Sequence, residues 1–116
     1  MKISILLPYK ENFSKKYAGA VSLFVKDVTS HSKYKKNIKI YGNTNFKSKL
    51  LKNYVNLNIS NKLFQSNSKV YVEEFLKYED SKKSDLIEIH NRPNYINNIN
   101  KKNNSNIILY FHNDPL

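Results

Sequence analysis

The chain has 116 residues, no cysteine, two glycines and three prolines, with 40% hydrophobic and 13% aromatic residues. That is one small domain or part of a larger one, and it excludes a disulfide scaffold, a thiolate metal site, collagen and an apolar run long enough to span a membrane. The formal net charge is +11 and uneven: residues 1–69 hold fourteen Lys against Glu11 and Asp27, whereas residues 70–116 hold six basic and seven acidic residues.

Such asymmetry points to an anionic partner: nucleic acid, an anionic membrane surface or a phosphorylated substrate. A plainer origin competes with it. Lys, Asn and Ile fill 48 positions, the bias of an A/T-rich coding sequence. Arg92 is the single arginine, and base-specific duplex readout leans on arginine forks, so specific DNA binding is not expected. The lack of cysteine fits a reducing compartment, and no signal-peptide core follows Lys2, so the expected location is cytoplasmic.

Ile3 to Leu7, closed by Pro8, reads as a buried strand. A polar stretch from Tyr9 to Tyr17 leads to Ala18-Gly19-Ala20. Val21, Phe24, Val25 and Val28 then recur at helical spacing, giving a helix from about Gly19 to His31. After a loop at 33–37, Asn37 to Gly42 alternates and ends at glycine, a strand. Residues 46–53 are lysine-rich and ambiguous. Tyr54 to Ile59 alternates as an edge strand, and 61–68 reads as a loop. Val70 to Tyr78 is a short helix with Phe75 and Leu76 inward, and 81–84 a turn. Asp85 to His90 is a strand, Pro93 to Lys102 a helix with Pro93 in its first turn, 103–106 a turn, and Ile107 to Phe111 a strongly apolar strand. Phe24, Phe75 and Phe111 fall on faces expected to be buried.

The order strand, helix, strand, strand, helix, strand, helix, strand implies right-handed crossovers. The expected fold is α/β: a Rossmann-like three-layer sandwich with a mostly parallel sheet. The near-continuous apolar runs at the first and last strands predict burial on both faces. Ligands of such sheets sit at the carboxyl ends of the strands.

That rule selects three places. The first is the loop ending in Ala18-Gly19-Ala20, where free N–H groups and the helix dipole favour a phosphate and glycine permits close approach. The alternative is a glycine that merely eases helix–strand packing. The second is His90-Asn91-Arg92-Pro93 and the third His112-Asn113-Asp114-Pro115, two His-Asn pairs at matching strand ends. Either imidazole can donate to a phosphate or a sugar hydroxyl. A zinc site is not expected: His31 is the only other histidine, and no ligand spacing occurs. No nucleophile elbow or Walker loop is present.

Together these residues resemble the N-terminal half of a GT-B glycosyltransferase of the family 4 type. The carriers are the first strand closed by Pro8 and followed by Tyr17-Ala18-Gly19-Ala20-Val21-Ser22, the strand Asp85-Leu86-Ile87-Glu88-Ile89-His90-Asn91-Arg92-Pro93, and Ile108-Leu109-Tyr110-Phe111-His112-Asn113-Asp114-Pro115. The resemblance covers the whole chain, with residues 43–70 matched by position only. It implies an N-terminal domain incomplete at its C-terminal end, serving the acceptor side of a retaining enzyme that uses a nucleotide-sugar donor in cell-envelope polysaccharide or lipopolysaccharide synthesis. By that analogy Gly19 and Ala20 offer backbone donors to the donor diphosphate. His112 is catalytic and positions the donor sugar, while His90, Asn91, Arg92 and Asn113 line the acceptor side.

The resemblance also implies no metal and no further cofactor, a sugar or lipid-linked acceptor, and peripheral contact with an anionic membrane through the lysine-rich first part. Ala18 departs from the paired glycines of many relatives. The nucleotide pocket and its glutamate pair lie outside these motifs, so the chain alone is not expected to transfer sugar. Two other readings stand beside this one. One is a small basic single-stranded nucleic-acid-binding module, with tyrosines interleaved among lysines; the other is a remnant, or a subunit that completes another chain.

Overall fold

The computed structural model describes residues 1–59, 66–81, 83–100 and 105–112. The elements follow the expected order: β1 (Ile3–Leu6), α1 (Ala20–His31), β2 (Ile38–Gly42), β3 (Tyr54–Asn56), α2 (Asn67–Ser81), β4 (Leu86–His90), α3 (Tyr95–Asn100) and β5 (Asn106–Tyr110), with a 3-10 turn at Lys35–Asn37. The sheet order is β3-β2-β1-β4-β5 and every ladder in it is parallel. This is a Rossmann-like α/β fold, with the chain reversing direction across the sheet at β1 and β4.

Period-two alternation assigns each strand's side chains to two layers. Ile3, Ile5, Leu7, Ile38 and Ile40 pack with Val21 and Val25 of α1. Leu6, Tyr41, Ile87 and Ile89 pack on the other face with Tyr71, Phe75 and Leu76 of α2 and with Tyr95 and Ile99 of α3. β1 is buried on both faces along its whole length, which explains its near-continuous apolar run, broken only by Ser4. Each such Ile or Leu contributes about 1.5–3 kcal/mol through burial.

α2 runs down this second face and ties both ends of the sheet. Near its start, the Tyr71 hydroxyl donates to the carbonyls of Leu7 (2.6 Å) and Tyr41 (3.3 Å) at the carboxyl ends of β1 and β2. Near its end, Glu79 accepts from the Ser4 hydroxyl and from the Ser84 hydroxyl and N–H. α2 also starts earlier than the apolar spacing implies. Ser66 caps it, its Oγ accepting from the Lys69 N–H at 3.2 Å and its carbonyl from Val70, so the polar turn Asn67–Lys69 is helical.

Two burial expectations are corrected. α1 buries Val21, Ser22, Val25 and Thr29, whereas Phe24 (42%) and Val28 (50%) are exposed. The helix is rotated because Ser22 is drawn inward by a hydrogen bond to Glu11. β5 is not buried on both faces. Ile107 and Leu109 pack against the α2–α3 layer, but Ile108 and Tyr110 are exposed and so is Phe111 (53%). β5 is the sheet's edge, and α1 does not extend over its outer half. Residues 60–65, 82, 101–104 and 113–116, with the turn at 103 and 104 and the end of the predicted third helix, lie outside the described residues.

Candidate functional site at the carboxyl ends of the strands

The loop after β1, the start of α1 and the ends of β4 and β5 meet at the carboxyl edge of the sheet, beside the switch point between β1 and β4. Among the described residues three non-glycine ones have left-handed backbones, Lys10 (φ 67°), Tyr17 (φ 57°) and Asn91 (φ 56°), and all three lie in these loops. Such conformations cost about 1–3 kcal/mol each and cluster where a site dictates the backbone; asparagine bears it most easily.

The two expected histidines come together. His90, the last residue of β4, is paired in register with Tyr110 of β5. Its ring stacks on Tyr110 (5.0 Å, 8°), and its Nδ1 lies 2.7 Å from Nε2 of His112. Phe24 packs edge-on against His112 at 4.8 Å. His90 is 1% exposed. Among the described residues its Nε2 has no hydrogen-bond partner, and the nearest acid is Glu88, at 3.7 Å. A hydrogen bond between two imidazoles needs one nitrogen protonated and the other bare. Burial, and then the neighbouring His90, lower the pKa of His112, and the Glu11 carboxylate partly offsets them.

Asn91 supports this pair. Its backbone N–H donates to the Tyr110 carbonyl (2.8 Å) and its Oδ1 accepts the His112 N–H (2.7 Å). The side chain expected to meet an acceptor thus holds the chain after β5 in place. Arg92 folds back, its guanidinium donating to the Asn91 carbonyl at 2.7 Å, and its own carbonyl receives the Tyr95 N–H at the start of α3. Asn113 lies outside the described residues.

Gly19 is the residue before α1, with an extended backbone (φ −74°, ψ 164°) that any residue adopts. Its lack of a side chain serves close approach instead. A Cβ there would overlap the Glu11 carboxylate. Oε2 of Glu11 accepts from the Ser22 N–H (3.0 Å) and Oγ (2.7 Å). A carboxylate on the chain therefore occupies the helix N-terminus read from the sequence as a phosphate site, where one of the first free N–H groups and the dipole favour an anion. Glu11 was missed as a site residue. The available signal was its isolation as one of two acids among fourteen lysines in residues 1–69.

The floor beneath the loop is aromatic. Tyr9 lies 5.4 Å from Tyr71, and its N–H donates to the Tyr95 hydroxyl at 3.2 Å. On the α1 side a small apolar cleft runs between Phe24, Val28 and Tyr110 down to His90 and Glu88. Among the described residues no group of three or more His, Asp or Glu side chains is placed to hold a metal ion, and no helix is long and apolar enough to cross a membrane.

No family model, no curated protein and no solved structure matches the chain.

Proposed function

We propose that this chain is the acceptor-side part of a GT-B glycosyltransferase that uses a nucleotide-sugar donor. The observation that carries the reading is the meeting of His90, His112 and the Gly19 helix entry at the carboxyl edge of a parallel sheet. These are the three places where the sequence resembles the family 4 type.

In this reading the donor diphosphate approaches Gly19 and Ala20, replacing the Glu11 carboxylate as the anion at the start of α1. The bond between the anomeric carbon and the diphosphate oxygen breaks, and the electron pair leaves with the nucleoside diphosphate. The helix N–H groups stabilise that charge. The acceptor oxygen forms the new bond to the anomeric carbon, and its proton passes to the departing diphosphate oxygen. His112 positions the donor sugar and is itself oriented by His90 and Asn91. His90, Asn91 and Arg92 line the acceptor side, and the resemblance adds Asn113 to it; the acceptor is a sugar or lipid-linked saccharide. Nucleoside contacts are assigned to a second domain, in cis or in trans. The lysine-rich first part suits the anionic inner face of a membrane, each lysine adding about 1 kcal/mol near such a surface.

The test is an amide NMR titration with nucleotide sugars, with candidate saccharides and, separately, with single-stranded RNA. The reading expects nucleotide sugars to perturb Gly19, Ala20 and His112, and an acceptor saccharide to perturb His90 to Arg92. Salt-sensitive RNA binding without any response to donors or saccharides would replace it with the nucleic-acid module.

A further inference from the structure

The amino ends of β1 and β2, at the far edge of the sheet from the histidines, hold a cleft of about 490 Å³, within the range of small-molecule sites. Three lysines line it from three separate elements: Lys2 just before β1, Lys36 in the 3-10 turn and Lys39 in β2. They are 34 residues apart at the closest approach of Lys2 to the other two, so the fold rather than a basic run gathers them. No acidic side chain lines the cleft among the described residues.

Register explains the geometry. Lys39 is the direct neighbour of Ser4, so it shares a face with Ser4 and Tyr41. α2 reaches this face through Glu79, which is buried under Ser4 and Ser84, leaving Lys39 exposed. Tyr41 and Tyr78, 5.5 Å apart, form an aromatic wall. Ser4 and Ser84 direct their hydroxyls to Glu79 or to each other. Their remaining lone pairs can accept from a ligand hydroxyl. The cleft thus offers cations at the rim, a ring face on one side and acceptors on the floor.

We propose that this cleft is a second ligand site, for a small phosphomonoester carrying a ring. The lysines take the dianionic phosphate, Tyr78 stacks on the ring, and the serine oxygens accept from its hydroxyls. Three ammonium groups outnumber the two nearby carboxylates, the buried Glu79 and the Asp85 that accepts the Lys2 backbone N–H at 2.8 Å, and leave the rim net positive towards a phosphate. This site does not rest on the glycosyl-transfer reading, and it lies at the opposite edge of the sheet.

The experiment is an amide NMR titration of the whole chain with inorganic phosphate, ribose 5-phosphate and AMP. The expected result is saturable shifts centred on Lys39, Tyr41, Tyr78 and Ser84, with a ring-bearing ester bound at least about fivefold more tightly than inorganic phosphate. Equal binding of the two esters identifies the sugar as the recognised ring, and a further gain with AMP identifies the base. Lys36→Glu with Lys39→Glu should weaken binding roughly tenfold or more, while Lys15→Glu at the other end of the sheet changes it less than about twofold. Should the double variant lose its dispersed spectrum, Lys36→Gln alone serves, with a loss of about threefold. Equal losses from cleft and distant variants, phosphate as strong as the esters, shifts centred on Gly19 and His112, or no saturable binding would overturn the proposal.

Discussion

Glu11 occupies the space that a side chain on Gly19 would need. Gly19 sits immediately before α1, and Glu11 bonds the Ser22 N–H and hydroxyl three residues further on. The glycine, the acid and the buried serine are therefore one device, a capping carboxylate reached through a gap.

Gly19→Ala should destabilise the chain by about 1 kcal/mol, because the methyl displaces the flexible end of Glu11 and leaves Ser22 without its acceptor. Glu11→Ala should cost about 1 kcal/mol, the worth of a cap. In the Glu11→Ala background Gly19→Ala should cost less than about 0.5 kcal/mol, since its backbone is already extended. Urea denaturation of the four proteins measures the coupling. Additive costs would show that the two residues do not share the space.

The same device governs anion binding. Removing the Glu11 charge with Gln keeps its shape and leaves the helix dipole without its resident anion. Glu11→Gln should raise the affinity for a nucleoside diphosphate by roughly tenfold, about 1.4 kcal/mol. Isothermal titration at low salt reads this. An unchanged or weaker affinity would mean that the diphosphate does not enter at Gly19.

His112 makes stability depend on pH. Its folded pKa lies below the ordinary 6.5, through burial and then His90. The unfolded chain therefore binds more protons than the folded one between the two values, and stability rises with pH there. The contribution is complete above 6.5 and is lost as pH falls through 6.5 towards the lower folded value. The groups facing His112 are His90 from β4, Glu11 from the loop after β1 and the uncharged Phe24 from α1. Chemical denaturation between pH 5 and pH 8 should show His112→Asn with a shallower slope than the parent chain. Equal slopes for the parent and His112→Asn would remove the histidine pair as the cause.

The element order and the parallel sheet were legible because hydrophobic period and run length are local signals, and β1 and β4 carry them plainly. That each histidine closes an apolar strand is also a local signal, whereas the register that sets His90 beside Tyr110, and so close to His112, comes from the pairing of β4 with β5. What was hidden depends on contacts distant in sequence. The rotation of α1 follows from Ser22 bonding Glu11, eleven residues away, which no helical period reports. The exposure of Phe24, Ile108 and Phe111 follows from β5 being an edge that α1 fails to cover. The early start of α2 was readable in principle, since Ser66 precedes it as a cap. Lys2, Lys36 and Lys39 meet only through the pairing of β1 with β2.

The uncovered edge carries its own consequence. β5 holds no charge and no proline, the usual guards of an open edge, in a chain otherwise rich in lysine; it also exposes Ile108, and Tyr110 beside Phe24 and Val28. Such an edge pairs with other chains. Ile108→Lys should therefore lower concentration-dependent association while changing stability by less than about 0.5 kcal/mol. Sedimentation velocity across a concentration series reads the first quantity and urea denaturation the second. Undiminished association in the variant would place the sticky surface elsewhere.

Among the described residues Glu79 is the most enclosed charge, 2% exposed and bonded to Ser4, the Ser84 hydroxyl and the Ser84 N–H at 2.7, 2.7 and 2.9 Å. It fastens the last turns of α2 to β1 and to the residues entering β4. Glu79→Ala orphans a backbone donor and two hydroxyls and opens a cavity, a combined cost of about 2–4 kcal/mol. Ser84→Ala keeps the backbone donor and the Ser4 bond, so its cost should be about 1 kcal/mol. Urea denaturation ranks the two. Faster amide exchange at Tyr78 to Ser81 in Glu79→Ala, with Tyr71 unaffected, would locate the loss at the lower end of α2, where the lysine-rimmed cleft draws its wall. A cost for Glu79→Ala no greater than that for Ser84→Ala would mean that water replaces the carboxylate, and that the enclosed acid is not what holds this end of the helix.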